Sequence, residues 1–144
     1  MKRIILASSN QVTNGYESFI NRLGWQEYKI MINTRYPVWP VSYYGISKVY
    51  GEAIARFYYE TSGLESICLR IGSVSKADDP KEYSRLLSTW FCHKDVAQLF
   101  KKNIISNVSF GIYYAVSNNK DRFWDISNTI HDLGYESVCD ASLM

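Results

Sequence analysis

The sequence predicts an α/β fold in which helices flank a mainly parallel sheet. Three apolar runs, residues 3–7, 66–71 and 108–116, are rich in β-branched or aromatic residues and are typical of buried strands. Helical patterns at 43–61 and 94–102 separate these runs. Continuous apolar strands that alternate with helices are characteristic of a parallel sheet covered on its faces. With 144 residues, 47% of them hydrophobic, the chain is long enough for a single domain with its own core.

The first strand is followed by the part of the chain with the weakest signals. Residues 3–7 form an apolar run that is closed by a polar loop of Ser8, Ser9 and Asn10. Beyond this loop, the sequence favours a short helix over 19–25 and a short strand over 29–32. Pro37 and Pro40 favour extended chain before the next helix.

The clearest helix is predicted over 43–61. Apolar side chains recur there at spacings of three and four residues and define a stripe along one face: Ile46, Val49, Tyr50, Ala53, Ile54, Phe57 and Tyr58. Ser62 and Gly63 mark its end, because glycine readily adopts the left-handed conformation that closes a helix.

The rest of the chain supplies two more strands and two more helices. The predicted order is the strand 66–71 with Gly72 and Ser73 after it, a polar loop over 74–90, the helix 94–102, the strand 108–116, and a helix over 125–133 that ends at Gly134. In the helix 94–102, the residues expected to face inward are Val96, Leu99 and Phe100. Right-handed crossovers would bring the carboxyl ends of the first two strands and the start of the long helix to one edge of the sheet, where ligands bind in such folds.

Tyr44 and Lys48 stand four residues apart at the head of the long helix. Residues at this spacing share a helix face, so both heads can point into one cavity. A nearby positive charge favours the phenolate form of a tyrosine, which makes the pair a candidate for proton transfer. The same spacing also arises by chance on surface helices, so the pair alone leaves both interpretations open.

Charge and hydropathy argue against two classes of partner. The formal net charge is +2, and Lys and Arg are scattered along the chain, so we expect no nucleic-acid binding. No run of about 18 apolar residues is present, so we expect no membrane span. The apolar run at the N-terminus stops at Ser8, too early for a signal peptide, and we expect a cytoplasmic protein.

The three cysteines agree with that compartment. Cys68, Cys92 and Cys139 are odd in number and lack metal-ligand spacing, so no metal site is predicted. Cys68 lies in an apolar run, where a thiol behaves as a small hydrophobic group. Cys92 precedes His93, but adjacent residues on a helix do not face each other, which argues against a nucleophile and base pair.

Taken in order, three segments resemble the extended short-chain dehydrogenase/reductase superfamily, the group of NAD-dependent epimerases and dehydratases. They are the strand end 7–10, the Tyr44 to Lys48 helix start and the strand end 69–73. The similarity is greatest to the uronate dehydrogenase-like branch, through Gly51-Glu52 and the segments 85–91, 116–119 and 123–125. The resemblance implies a partial Rossmann-like fold and a sugar or sugar acid as substrate.

The resemblance also implies roles for individual residues. Tyr44 would be the general acid/base, Lys48 would support it and hold the nicotinamide ribose, and Ser9 would hydrogen-bond the reacting oxygen. Ile71 would lie beside the NAD cofactor. The sugar or sugar acid would be held by Ser9, Asn10, Gln11, Ser73 and Arg85. Gln11 stands where this branch usually has histidine.

Structural interpretations of the same residues remain open. Ser9 and Ser73 each follow a strand and would serve equally well to cap a turn. Arg85 would serve either as a solvated loop residue or as a clamp for a carboxylate.

The glycine-rich turn of the superfamily is missing. Such proteins open with a strand, a glycine-rich turn and a helix that receives the pyrophosphate. This chain has eight glycines, and the closest two, Gly45 and Gly51, are six residues apart. The resemblance therefore implies the C-terminal half of a dehydrogenase over residues 1–144, without the N-terminal βαβ units. An uncovered sheet edge should then favour a homo-oligomer or association through that edge.

Three functions follow from these observations. The first is an NAD-dependent oxidoreductase of a sugar or sugar acid. The second is a nucleotide-sugar epimerase or dehydratase. The third is a truncated, catalytically silent remnant or an interaction subunit, so the sequence leaves open whether the chain is an enzyme.

Overall fold

The computed structural model describes residues 2–23 and 30–144 and contains a parallel sheet of three strands. The strands are β1 (Arg3–Ser9), β2 (Glu65–Ile71) and β3 (Phe110–Ala115), and they lie in the order β1-β2-β3. In the register, Ser9 lies opposite Ile71 and Ser66 lies opposite Phe110. The predicted α/β class and the three predicted strands are confirmed.

Five helices accompany the sheet in the described ranges. They are α1 (Asn14–Leu23), α2 (Tyr43–Ser62), α3 (Leu86–Thr89), α4 (His93–Ile105) and α5 (Ser127–Leu133), with short 3₁₀ turns at Asn10–Thr13 and Ala141–Leu143. The long helix and the helices at 94–102 and 125–133 are thus confirmed within a few residues. Gly63 and Gly134 close α2 and α5 in the left-handed conformation, with φ of 68° and 63°.

The segment before α2 differs from the prediction. The helix expected over 19–25 begins earlier, at Asn14, because the 3₁₀ turn that follows β1 runs directly into it. Residues 24 and 25 lie outside the described residues, as does Lys29 of the strand expected over 29–32. In the described part of that segment, Ile32 forms one isolated parallel bridge with Trp124.

The apolar stripe of α2 lies largely outside the core. Tyr50 is 68% exposed and Phe57 is 58% exposed. The buried positions of this helix are instead Gly45, Glu52 and Ala55. The helix therefore approaches the sheet through small residues and one acidic residue, and it presents its large apolar side chains to solvent.

Much of the main core lies on the face of the sheet opposite α2. Successive side chains of a strand point to opposite faces, and Ile67 and Leu69 of β2 join the core cluster while Arg70 contacts α2. From α4, Leu99 is buried in this cluster and Val96 and Phe100 are partly buried against it, as predicted. Other large side chains of the cluster are Tyr114, Phe123, Trp124 and Tyr135.

A buried ion pair joins α2 to β2. Arg70 donates from Nε and Nη2 to the two carboxylate oxygens of Glu52, each at 2.9 Å. Ser8 on β1 donates to Glu52 Oε1 at 2.6 Å, and Arg70 Nη1 donates to the Tyr114 hydroxyl at 3.4 Å. Burial opposes the charge of Arg70, but the hydrogen bond and charge of Glu52 outweigh it and raise the pKa of the guanidinium.

Two of the three cysteines form a disulfide. Cys92 at the start of α4 is bonded to Cys139 near the C-terminus, a pairing that the odd cysteine number did not indicate. Cys92 is therefore no free nucleophile, in agreement with the sequence argument. Cys68 is a buried free thiol, and burial, reinforced by the charge of Glu52 and opposed by Arg70, raises its pKa to about 12.

In the ranges 2–23 and 30–144, no helix combines the length and hydropathy that a membrane span requires.

Substitution of Glu52 should destabilise the fold strongly. Glu52→Gln leaves the guanidinium of Arg70 buried without its counter-charge, and breaking a buried pair in this way costs about 3–5 kcal/mol in the free energy of unfolding. Glu60→Gln is the matched control, because Glu60 lies on the same helix and pairs with Arg56 at the surface. Exposed pairs of this kind contribute about 0.5 kcal/mol. Urea unfolding of both variants measures the difference, and similar losses would contradict the assigned role of the buried pair.

The exposed stripe of α2 should cause self-association. Large apolar surfaces and an open strand edge favour contacts between chains, so light scattering of the purified chain should give a mass at least twice that of one chain. Replacement of Tyr50 and Phe57 by serine should lower that mass. A monomeric wild-type sample would count against this expectation.

Candidate active site

The candidate site lies at the carboxyl ends of β1 and β2. Ser9 ends β1, opposite Ile71 at the end of β2, so the structure brings the two predicted strand ends together. Ser9 is 6% exposed, and its Oγ accepts a hydrogen bond from the backbone N–H of Gln11 at 3.1 Å. Ser9 thus caps the 3₁₀ turn, and its own hydroxyl donates only a long hydrogen bond, of 3.5 Å, to Asn10 Oδ1.

Asn10 places an unused amide donor in this region. Its side chain is buried, and Nδ2 finds no acceptor among the described residues. A buried amide without a partner is costly unless a ligand or water satisfies it. Gln11, the next residue, is partly exposed, so both amides lie near the strand end where the sequence predicts substrate.

Gly45 sets the position of Tyr44 relative to this strand end. A Cβ atom at Gly45 would lie 2.6 Å from the backbone oxygen of Gln11. Only glycine allows so close an approach, which seats the start of α2 on the turn after β1. Ser42 caps the helix there by accepting from the Gly45 N–H at 3.0 Å.

Lys48 connects α2 to β1 beside Tyr44. Its Nζ donates to the backbone oxygen of Ala7 at 2.8 Å and lies 5.3 Å from the centroid of the Tyr44 ring. Tyr44 is 54% exposed, and its hydroxyl makes no hydrogen bond within the described part of the chain. An ammonium group has three N–H donors, so Lys48 retains donors for a ligand that reaches this side of the site.

Arg85 reaches Ser73, as the predicted substrate site requires, but its guanidinium is also engaged elsewhere. Nη1 donates to Ser73 Oγ at 3.1 Å, and Ser73 Oγ lies 2.9 Å from Thr89 Oγ1. Nε and Nη2 donate to the two carboxylate oxygens of Glu17 at 2.5 and 2.8 Å. Ser73 and Arg85 therefore converge, and Glu17 of α1 joins them.

Sequence reasoning missed Glu17 and the role of Glu52. Glu17 and Arg85 are 68 residues apart, and no local pattern links them. Glu52 follows Lys48 by four residues and Tyr44 by eight, so the same helical spacing that selected the pair also places Glu52 on that face. That spacing was the available signal.

Comparisons with known proteins find relatives among the sugar and uronate dehydrogenases. No protein-family model matches the chain. The uronate dehydrogenase of Pseudomonas putida is 36% identical over 136 residues, which are 94% of this chain and 46% of that protein. The L-arabinose 1-dehydrogenase (NAD(P)(+)) of Haloferax volcanii is 32% identical over 111 residues, which are 69% of this chain and 43% of that protein.

A solved structure shows the same correspondence. The crystal structure of uronate dehydrogenase from Agrobacterium tumefaciens superposes with a TM-score of 0.80 at 29% identity, over 98% of this chain and 48% of that one. The three-stranded parallel sheet and its helices therefore match roughly half of a Rossmann-like dehydrogenase. The chain is a homologue of the uronate dehydrogenases. It also shares its fold with the UDP-glucuronic acid 4-epimerase of Bacillus cereus, at a TM-score of 0.66 and 13% identity over 99% of this chain and 58% of that one. It spans about half the length of the curated relatives that it matches.

The contact at Gly45 leads to a paired prediction. Gly45→Ala should lower the free energy of unfolding by about 1–3 kcal/mol, because the methyl group meets the backbone oxygen of Gln11. Gly51→Ala is the control: its Cβ would lie 3.4 Å from a flexible Leu6 side chain, and alanine gains about 0.5–1 kcal/mol over glycine inside a helix. Urea unfolding compares the two, and an equal effect would contradict the close approach at Gly45.

Proposed function

We propose that this chain carries the acid/base half of an NAD-dependent oxidoreductase that acts on a sugar or sugar acid. The observation that carries the proposal is the placement of Tyr44 and Lys48. The Gly45 contact and the bond from Lys48 to Ala7 seat both residues beside Ser9 at the end of β1. The uronate and sugar dehydrogenases among the homologues support the same reaction class.

The residues of the site divide the chemistry between them. Tyr44 takes the proton of the sugar hydroxyl through its exposed phenol oxygen, and the ammonium of Lys48 stabilises the phenolate. Ser9, whose hydroxyl makes only a long hydrogen bond to Asn10, donates its O–H to the oxygen that becomes a carbonyl, where negative charge develops. The buried Nδ2 of Asn10 offers a further donor to the same sugar.

The residues present fit one part of an NAD molecule. NAD, when bound, accepts a hydride from the sugar carbon that carries the reacting hydroxyl. Lys48 uses one N–H on Ala7 and has others for the nicotinamide ribose, and Ile71 lies at the neighbouring strand end as a partly buried apolar contact. The chain holds no glycine-rich turn for the pyrophosphate, so the adenosine side requires βαβ units beyond these residues.

A second candidate is a catalytically silent subunit, and the missing glycine-rich turn favours it. Calorimetric titration of the purified chain with NAD separates the two functions. If this chain is an oxidoreductase by itself, it should bind NAD measurably at millimolar concentrations. Absence of binding at that concentration would overturn autonomous catalysis, whereas binding without any partner protein would exclude the silent subunit.

Tyr44→Phe should abolish most oxidation of sugar by the chain. Removal of a general acid/base lowers the rate about 10²–10⁴-fold, while the fold should persist because Tyr44 is half-exposed. Tyr43→Phe is the matched control, since Tyr43 is the adjacent residue and is 92% exposed. The formation of reduced nicotinamide with hexose or hexuronate is the readout. Full activity of Tyr44→Phe would end the proposed mechanism.

A further inference from the structure

Glu17 is paired with Arg85, the basic residue that is the candidate for binding a sugar acid. Glu17 pairs with Arg85 through two parallel hydrogen bonds of 2.5 and 2.8 Å. The Glu17 side chain is 9% exposed, whereas that of Arg85 is 40% exposed. The carboxylate is therefore a fixed internal partner, and the guanidinium is the member of the pair that faces solvent.

The hydrogen bonds leave Arg85 with two free N–H donors. A guanidinium has five N–H donors. Nε and one Nη2 donor go to Glu17, and one Nη1 donor goes to Ser73. The remaining two donors lie on different terminal nitrogens. A carboxylate normally binds arginine through a parallel pair of N–H groups. Glu17 already takes the pair formed by Nε and Nη2, so a ligand can reach only the terminal nitrogens.

The charge of the pair also disfavours an anionic ligand. Arg85 and Glu17 together carry no net charge, so a sugar carboxylate at Arg85 gains no net attraction and lies close to a second carboxylate. Like charges placed together in this way oppose binding. Sugar hydroxyls both donate and accept, so an uncharged sugar can accept from the free N–H groups of Arg85 and donate to the remaining lone pairs of Glu17.

We propose that Glu17 is a specificity-determining residue that makes this site prefer an uncharged sugar over a sugar acid. The inference rests on the proposed sugar oxidoreductase function and names the substrate class of that same site. Ser73 supports it, because its hydroxyl lies within hydrogen-bond distance of both Arg85 and Thr89 and adds a neutral polar group to the site.

The test measures the ratio of two affinities in the presence of NAD. Calorimetry or ligand-observed NMR gives the dissociation constants of D-glucose and D-glucuronate for the wild-type chain. We expect D-glucose to bind at least about tenfold more tightly. Glu17→Gln frees the charge of Arg85 and should shift the ratio about tenfold towards D-glucuronate.

Three variants separate charge at Glu17 from other effects. Glu60→Gln makes the same change of net charge on the surface of α2 and should leave the ratio unchanged. Glu17→Asp keeps the charge and should retain the preference for D-glucose. The double variant Glu17→Gln, Arg85→Gln removes both charges, so no charged group is left without its partner. It should also keep the preference for D-glucose, and it serves as the test if Glu17→Gln does not fold.

The outcomes distinguish this inference from the function on which it rests. Three results would overturn the role of Glu17 and leave the proposed function standing. They are a wild-type preference for D-glucuronate, an unchanged ratio in folded Glu17→Gln, and loss of the D-glucose preference in the double variant. A wild-type chain that binds neither sugar would overturn the proposed function together with this inference.

Discussion

The structure depends on one buried ion pair, between Glu52 on α2 and Arg70 on β2. Two charged groups with so little exposure are stable only when each is paired and hydrogen-bonded. Ser8 completes the hydrogen bonding of Glu52 from β1, and the hydroxyl of Tyr114 approaches Arg70 from β3. The pair thus ties the long helix to all three strands.

That tie determines the rotation of α2 about its axis. Glu52 must face Arg70, and residues four and eight positions earlier lie on the same side of the helix. Lys48 and Tyr44 are those residues, so the buried pair directs them towards the carboxyl end of β1. Gly45 then lets the helix start approach the turn after β1 closely enough for Tyr44 to lie beside that strand end.

The same rotation explains the unusual surface of α2. With Gly45, Glu52 and Ala55 turned to the sheet, the large apolar residues of the helix must face solvent. The chain spans about half the length of its relatives, and it combines this open apolar face with the proposed acid/base residues Tyr44 and Lys48 and with a sequence that holds no glycine-rich turn. Near Ser73, the charge of Glu17 balances that of Arg85. The polar groups of the site are therefore hydroxyl groups, amides and this charge-balanced pair.

The sequence by itself determined the order of strands and helices, the parallel sheet and the shared face of Tyr44 and Lys48. Those features follow from local periodicity, strand ends and helix-ending glycines, all of which act over a few residues. The tertiary structure alone decided which face of α2 is buried, the pairing of Glu17 with Arg85 and the disulfide between Cys92 and Cys139. These partners are separated by dozens of residues along the chain, and only the folded sheet brings them together. The apolar stripe of α2 shows the limit most clearly. Its period predicts a helix, but the buried charge of Glu52, whose partner Arg70 lies on β2, selects a different face of that helix for the interior.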